Sequence, residues 1–137
     1  MRHVFLAAAF TLSALPATAQ GIEGLWQTGT NGAKVEIAPC GDAMCGTLVS
    51  SNAIEKDAGA KDVENDDKAL RDRPLKGLTM LSGFSGGPEK WTGGKLYNPA
   101  DGKTYSGTIT LTGPDTLKLK GCVVAPLCKT REWTRIE

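Results

Sequence analysis

The chain has 137 residues, 16 Lys and Arg against 15 Asp and Glu, a single His, and 6% aromatic residues. Near-balanced charge with no concentrated basic face excludes the usual footprint of a nucleic-acid binder, and gives no general attraction to a membrane surface. Because His3 is the only histidine, the folded domain lacks the usual neutral-pH acid/base and the commonest imidazole metal ligand, and most familiar hydrolase mechanisms fall with it.

Arg2 and His3 form a short basic start, residues 4–15 an apolar run, and Ala17-Thr18-Ala19 a small-residue cleavage site. The run is too short to cross a bilayer as a helix of about 20 residues. We therefore expect a signal peptide over residues 1–19, cleaved after Ala19, and one domain over residues 20–137, periplasmic or secreted and without stable membrane insertion. Loss of Arg2 leaves 15 basic and 15 acidic residues.

From Gly21 onward the pattern is one of short strands punctuated by Gly, Asn, Asp and Pro. Residues 24–28 begin the first. Lys34-Val35-Glu36-Ile37-Ala38 alternates polar with apolar, and Pro39 is expected to end it. Four cysteines follow in two close pairs, Cys40 with Cys45 and Cys122 with Cys128. In an exported chain disulfides are their expected state. Each local bridge would contribute about 2 kcal/mol and a long-range one roughly 4 to 5, but a long-range bridge requires close Cα atoms that sequence does not establish. Local pairing is the favoured reading, and neither spacing suits a thiolate metal site.

Residues 46–49 form a third strand, after which residues 50–75 break the rhythm. This stretch mixes acids and bases without β alternation, and Asn65 or Asp66 would cap a helical turn through Ala69 and Leu70 that must stop before Pro74. Its acids Asp62, Glu64, Asp66 and Asp67 lack the regular spacing of a calcium loop and read as solvated. A loop this long is a lid or a mobile segment.

Strands resume over residues 77–81 and, past a glycine-rich connection at residues 82–88, over residues 91–97. A hairpin at residues 98–102 leads to residues 105–111, whose alternation puts Tyr105, Gly107, Ile109 and Leu111 on one face. Residues 113–115 turn the chain into Leu117-Lys118-Leu119-Lys120, and the last strand ends in Thr130-Arg131-Glu132-Trp133-Thr134-Arg135. About eight strands joined mainly by short loops predict an all-β, single small antiparallel up-and-down β-barrel; a small β-sandwich gives a similar strand count.

Period two places Arg131, Trp133 and Arg135 together on the inward face of the last strand. Inward guanidiniums are costly unless partnered. In a structural reading, Arg135 closes the barrel end against Trp26 and Arg131 pairs with an acid of the long loop. In a functional reading, Arg131, with Trp133, Tyr105 or Tyr97, holds the anionic group of a small ligand whose apolar part lies among Val35, Leu48, Ile109 and Leu119. Paired carboxylates could cleave glycosides, but Glu36, Asp101, Asp115 and Glu132 occupy positions expected at solvent or turns, so we assign no catalytic residue, cofactor or metal.

Taken together, Gly24-Leu25-Trp26, Cys40-Gly41 with Cys45-Gly46, Arg73-Pro74-Leu75, Trp91 with Gly93-Gly94, Tyr97-Asn98-Pro99 with Asp101-Gly102-Lys103-Thr104-Tyr105, Gly121-Cys122, and Cys128 with Trp133-Thr134-Arg135 resemble the bacterial domain-of-unknown-function family 2147. The resemblance implies an exported, compact, lipocalin-like barrel. Gly-x-Trp with a late Arg is also similar to the lipocalin pattern, in which the Trp packs across the barrel base beneath the Arg; it implies those roles for Trp26 and Arg135 and leaves Arg131 to be explained. The expected function is a binding module, not an enzyme, for a small apolar or anionic ligand, with residues 50–75 over the mouth. The rival is a disulfide-stapled envelope interaction or structural protein without a cavity, showing an exposed apolar patch at Trp91 and Phe84.

Overall fold

The computed structural model describes residues 8–9, 21–124 and 126–137. Apart from residues 8–9, the expected signal peptide and its cleavage site lie outside the described residues. Eight antiparallel strands close into a barrel in chain order, each pairing with its sequence neighbour and the last returning to the first. They are β1 (Gly24–Gln27), β2 (Lys34–Cys40), β3 (Ala43–Ser50), β4 (Thr79–Gly86), β5 (Lys90–Asn98), β6 (Lys103–Gly113), β7 (Thr116–Cys122) and β8 (Cys128–Arg135). Closure leaves no sheet edge, as an up-and-down meander of this length requires. The seam is short: Trp26 faces Arg135 and Gln27 faces Thr134. It is lengthened by backbone bonds from Leu25 N–H to the Glu137 carbonyl and from Ile136 N–H to the Leu25 carbonyl.

Two strands run past their expected ends. Pro39 does not stop β2; it pairs with Met44, and Cys40 with Ala43, in a tight hairpin held by the Cys40–Cys45 disulfide. The glycine-rich stretch after Leu81 continues β4 to Gly86 rather than forming a connection. A strand can carry Gly where another group needs the space of its missing side chain, and in β5 and β6 that group is Phe84 of β4. A Cβ on Gly94 would overlap the Phe84 ring, and one on Gly107 would stand 2.6 Å from its Cζ. Phe84 is wholly buried and Trp91 nearly so, which removes the surface patch expected of that pair.

The barrel has unlike ends. At one, the β2–β3, β4–β5 and β6–β7 hairpins meet the two ends of the described barrel chain, and Trp26, Ile22, Ile37, Phe84, Ile109 and Leu117 fill the interior, all with 1% exposure or less. Val35, Leu48 and Ile109, expected around a ligand, belong to this packed core. At the other end stand the β1–β2 turn, the long β3–β4 connection, the β5–β6 hairpin and the Cys122–Cys128 loop.

The long connection is more ordered than its composition suggests. It carries a short helix, α1 (Asn52–Lys56), whose first turn is capped by the Ser51 hydroxyl accepting from Ile54 N–H at 3.3 Å. A 3-10 turn, Lys68–Leu70, is capped by Asp67 rather than Asn65 or Asp66.

Candidate functional site

Arg135 of β8 seals the filled end. Its guanidinium lies 4.4 Å from the Trp26 ring centroid, close enough for a cation–π contact. It donates to the carbonyls of Gly21 at 2.7 Å, Pro114 at 3.0 Å and Glu23. Beneath it, Trp26 Nε1 donates to the Ile22 carbonyl at 2.9 Å. Each guanidinium nitrogen, and the indole N–H beneath, is therefore directed at a protein carbonyl.

A second polar cluster fastens the long connection to the barrel wall. Asp62, expected to be solvated, is 1% exposed. Its carboxylate accepts from the Tyr97 hydroxyl at 2.6 Å, Arg73 Nε at 2.8 Å and Asn65 Nδ2 at 2.9 Å. A buried carboxylate is tolerated only with such partners. Burial alone would raise its pKa, but the bonds from Tyr97, Asn65 and Arg73, with the Arg73 charge, outweigh that and hold the carboxyl below its ordinary value. Conversely, burial first and the Asp62 carboxylate second push the Tyr97 phenol up to about 12. Arg73 also lies 4.9 Å from the Tyr97 ring centroid. Next to this cluster Asp66 N–H donates to the Gly102 carbonyl at 3.1 Å. Gly102 has φ of 73°, and a Cβ there would strike the Glu64 backbone, so only glycine fits.

The later part of residues 50–75 thus lies against the outside of β5 and the β5–β6 hairpin, while Asn52 bonds to Asn31 of the β1–β2 turn and Ile54 joins the core. None of these residues lines the cavity at the open end. The expectation that they cover the mouth is corrected on this ground: the barrel residue that holds Asp62 is Tyr97, which alternates with the cavity-lining Leu96 and so lies on the outer face of β5.

That cavity encloses about 470 Å3, within the range of roughly 300 to 1,000 Å3 for small-molecule sites. Its apolar wall includes Met80, Leu96, Leu119 and Trp133, and its polar side includes Arg131, Lys129 and Tyr105. Register explains the grouping, since Leu117 faces Trp133 and Leu119 faces Arg131 across β7 and β8. Gly121 keeps the space open: a Cβ there would stand 3.2 Å from Leu96 and 3.5 Å from Tyr105.

Of the four side chains expected to bind a ligand, three line this cavity together. Trp133 is 3% exposed, while Arg131 is exposed. Ion pairs among the described residues join Lys61 to Asp72, Arg73 to Asp62 and Arg135 to Asp115; Arg131 belongs to none, and it is Arg73 that pairs with an acid of the long connection. Tyr105 stands at the rim with its hydroxyl donating to the Asp101 carboxylate, a bond that, ahead of burial and the carboxylate charge, raises the phenol pKa. Asp101 is the one carboxylate on the cavity wall among the described residues. Tyr97 is placed elsewhere, its hydroxyl engaged by Asp62. The Asp62 cluster was missed in the sequence, where only an odd acid inside a long polar run could have signalled it.

A closed eight-strand barrel, packed at one end beneath a Trp–Arg pair and hollow at the other, defines a lipocalin-like protein. Solved structures include a match to "Protein HP1028 from the human pathogen Helicobacter pylori belongs to the lipocalin family", with a TM-score of 0.73, 26% identity, and coverage of 84% of this chain and 82% of that one. The chain belongs to the bacterial family described as "Uncharacterized protein conserved in bacteria (DUF2147)", matched over residues 24–135. Comparison with curated proteins finds no match. Two disulfides in a bacterial family suit an extracytoplasmic setting. Among the described residues no helix is long and apolar enough to cross a membrane.

Proposed function

We infer that the protein is exported, periplasmic or secreted after cleavage following Ala19, and binds a small amphiphile in the open end of its barrel. The apolar body would lie on Leu96, Leu119, Met80 and Trp133, and its anionic group would meet the Arg131 guanidinium. Because the Tyr105 proton is directed to Asp101, Tyr105 would supply its ring as wall more than a donor to the ligand. The observation that carries this reading is Arg131 itself: it stands beside a buried Trp133 on a hollow interior, outside every ion pair among the described residues. The volume limits the ligand to a compact molecule or one short chain.

Native mass spectrometry of protein purified from its own periplasm tests the reading. We expect a retained small molecule that is released on denaturation and depleted in Arg131→Met. Protein of bare polypeptide mass that also fails to bind a fluorescent anionic amphiphile such as anilinonaphthalene sulfonate would overturn it.

A further inference from the structure

Six large apolar side chains are exposed among the described residues: Val63, Leu70, Val123, Val124, Leu127 and Ile136. Three of them share the short loop closed by the Cys122–Cys128 disulfide, where Val123 is 66%, Val124 67% and Leu127 70% exposed. Scattered exposed apolar residues are ordinary, but a group at one projecting tip marks a contact surface. The described residues of the tip are also tied to one another. Besides the disulfide, Val123 N–H donates to the Leu127 carbonyl at 3.1 Å and Leu127 N–H to the Val124 carbonyl at 2.6 Å, so a contact made there costs little further ordering.

The charges beside the tip have one sign. From position 120 through 131 they are Lys120, Lys129 and Arg131, with no acid between them, while Lys118, further from the loop, faces Glu132 across the strands. Lys120, Lys129 and Arg131 sit on the strand ends nearest the loop, Lys120 facing Thr130 and Lys129 facing Gly121. Asp101, the one carboxylate on the cavity wall among the described residues, is engaged by the Tyr105 hydroxyl of the neighbouring strand. The overall charge of the chain is close to neutral, so this is a local asymmetry that composition hides.

We propose that the Cys122–Cys128 loop is a docking tip for an anionic lipid bilayer, with Val123, Val124 and Leu127 entering the headgroup–acyl boundary and Lys120 and Lys129 facing lipid phosphates. Aliphatic side chains beneath a cationic collar suit that boundary. A protein partner would be met by aromatic anchors, and the tip has none. Val123 and Leu127 also line the cavity mouth, so docking places the opening against the bilayer. The proposal goes beyond the ligand reading and holds whether or not the cavity is occupied.

Vesicle co-sedimentation of the exported, disulfide-bonded protein tests it. Vesicles of phosphatidylcholine with about a third phosphatidylglycerol should retain the protein about tenfold better than phosphatidylcholine alone, and salt should weaken the difference. Val124 lies outside the cavity wall, so Val124→Asp should lower retention about tenfold while leaving anilinonaphthalene sulfonate binding unchanged. Val124→Trp should raise retention, with a blue shift of its emission on vesicles, because Trp26, Trp91 and Trp133 are all buried. Equal retention of wild type and both variants would overturn the proposal. So would no retention of wild type and Val124→Trp on anionic vesicles, which would direct the tip to a protein partner instead.

Discussion

At the filled end of the barrel Arg135 lies over Trp26 and directs its donors to the carbonyls of Gly21, Glu23 and Pro114, whereas at the hollow end Arg131, on the same face of β8, lines a cavity outside every ion pair among the described residues. The same residue type at alternating positions of one strand therefore has two surroundings. What separates them is what each end does with its interior. Phe84, Trp26 and Ile109 occupy the space at one end; Gly121 and the side chains around it leave it vacant at the other.

The comparison breaks most severely if the packed end is emptied. Phe84→Ala should lower unfolding free energy by about 3 to 5 kcal/mol in chemical denaturation, since Gly94 and Gly107 offer no side chain to collapse into the void. Next in size is Asp62→Ala, which strands Arg73 and the Tyr97 hydroxyl. Arg73 keeps a side chain 34% exposed, so we expect the lower end of the cost of breaking a buried pair, about 3 kcal/mol. The same carboxylate sets a pH dependence. Its pKa is lowered by folding, so its stabilisation is fully present above the unfolded carboxylate value of about 3.9 and is lost as pH falls through the folded value. Amide protection in residues 57–75, relative to intrinsic exchange at each pH, should therefore fall below about pH 4 in the wild type, and already at neutral pH in Asp62→Ala.

How far this was visible beforehand differs between the two ends. Arg131, Trp133 and Arg135 share a face because side chains alternate along any strand, and that much is legible without coordinates. The strand order follows in the same way from short loops between alternating runs. Phe84 was hidden by its setting: flanking glycines read as a connection, whereas its ring points inward onto Gly94 and Gly107 of the two following strands. The Asp62 cluster was hidden by distance, its partners standing 3, 11 and 35 residues away. Period and composition report local geometry, and neither reports which loop acid will be folded under a tyrosine. The hollow at the open end was likewise illegible, because an inward face reads the same whether the interior is packed or empty.

Smaller effects sharpen the contrast between the two arginines. Arg135→Met should cost about 2 kcal/mol through the lost stacking and carbonyl bonds. Arg131→Met should leave stability within about 0.5 kcal/mol of wild type by thermal unfolding, as expected for an exposed side chain without a protein partner.

The central claim, that Arg131 is kept for a ligand while Arg135 is kept for the fold, is tested most directly by titrating a short-chain carboxylate and the alcohol of the same chain length against both variants, followed by calorimetry. Wild type and Arg135→Met should prefer the carboxylate by about tenfold or more, and Arg131→Met should bind the two alike. An undiminished preference in Arg131→Met, or its loss in Arg135→Met alone, would contradict the account.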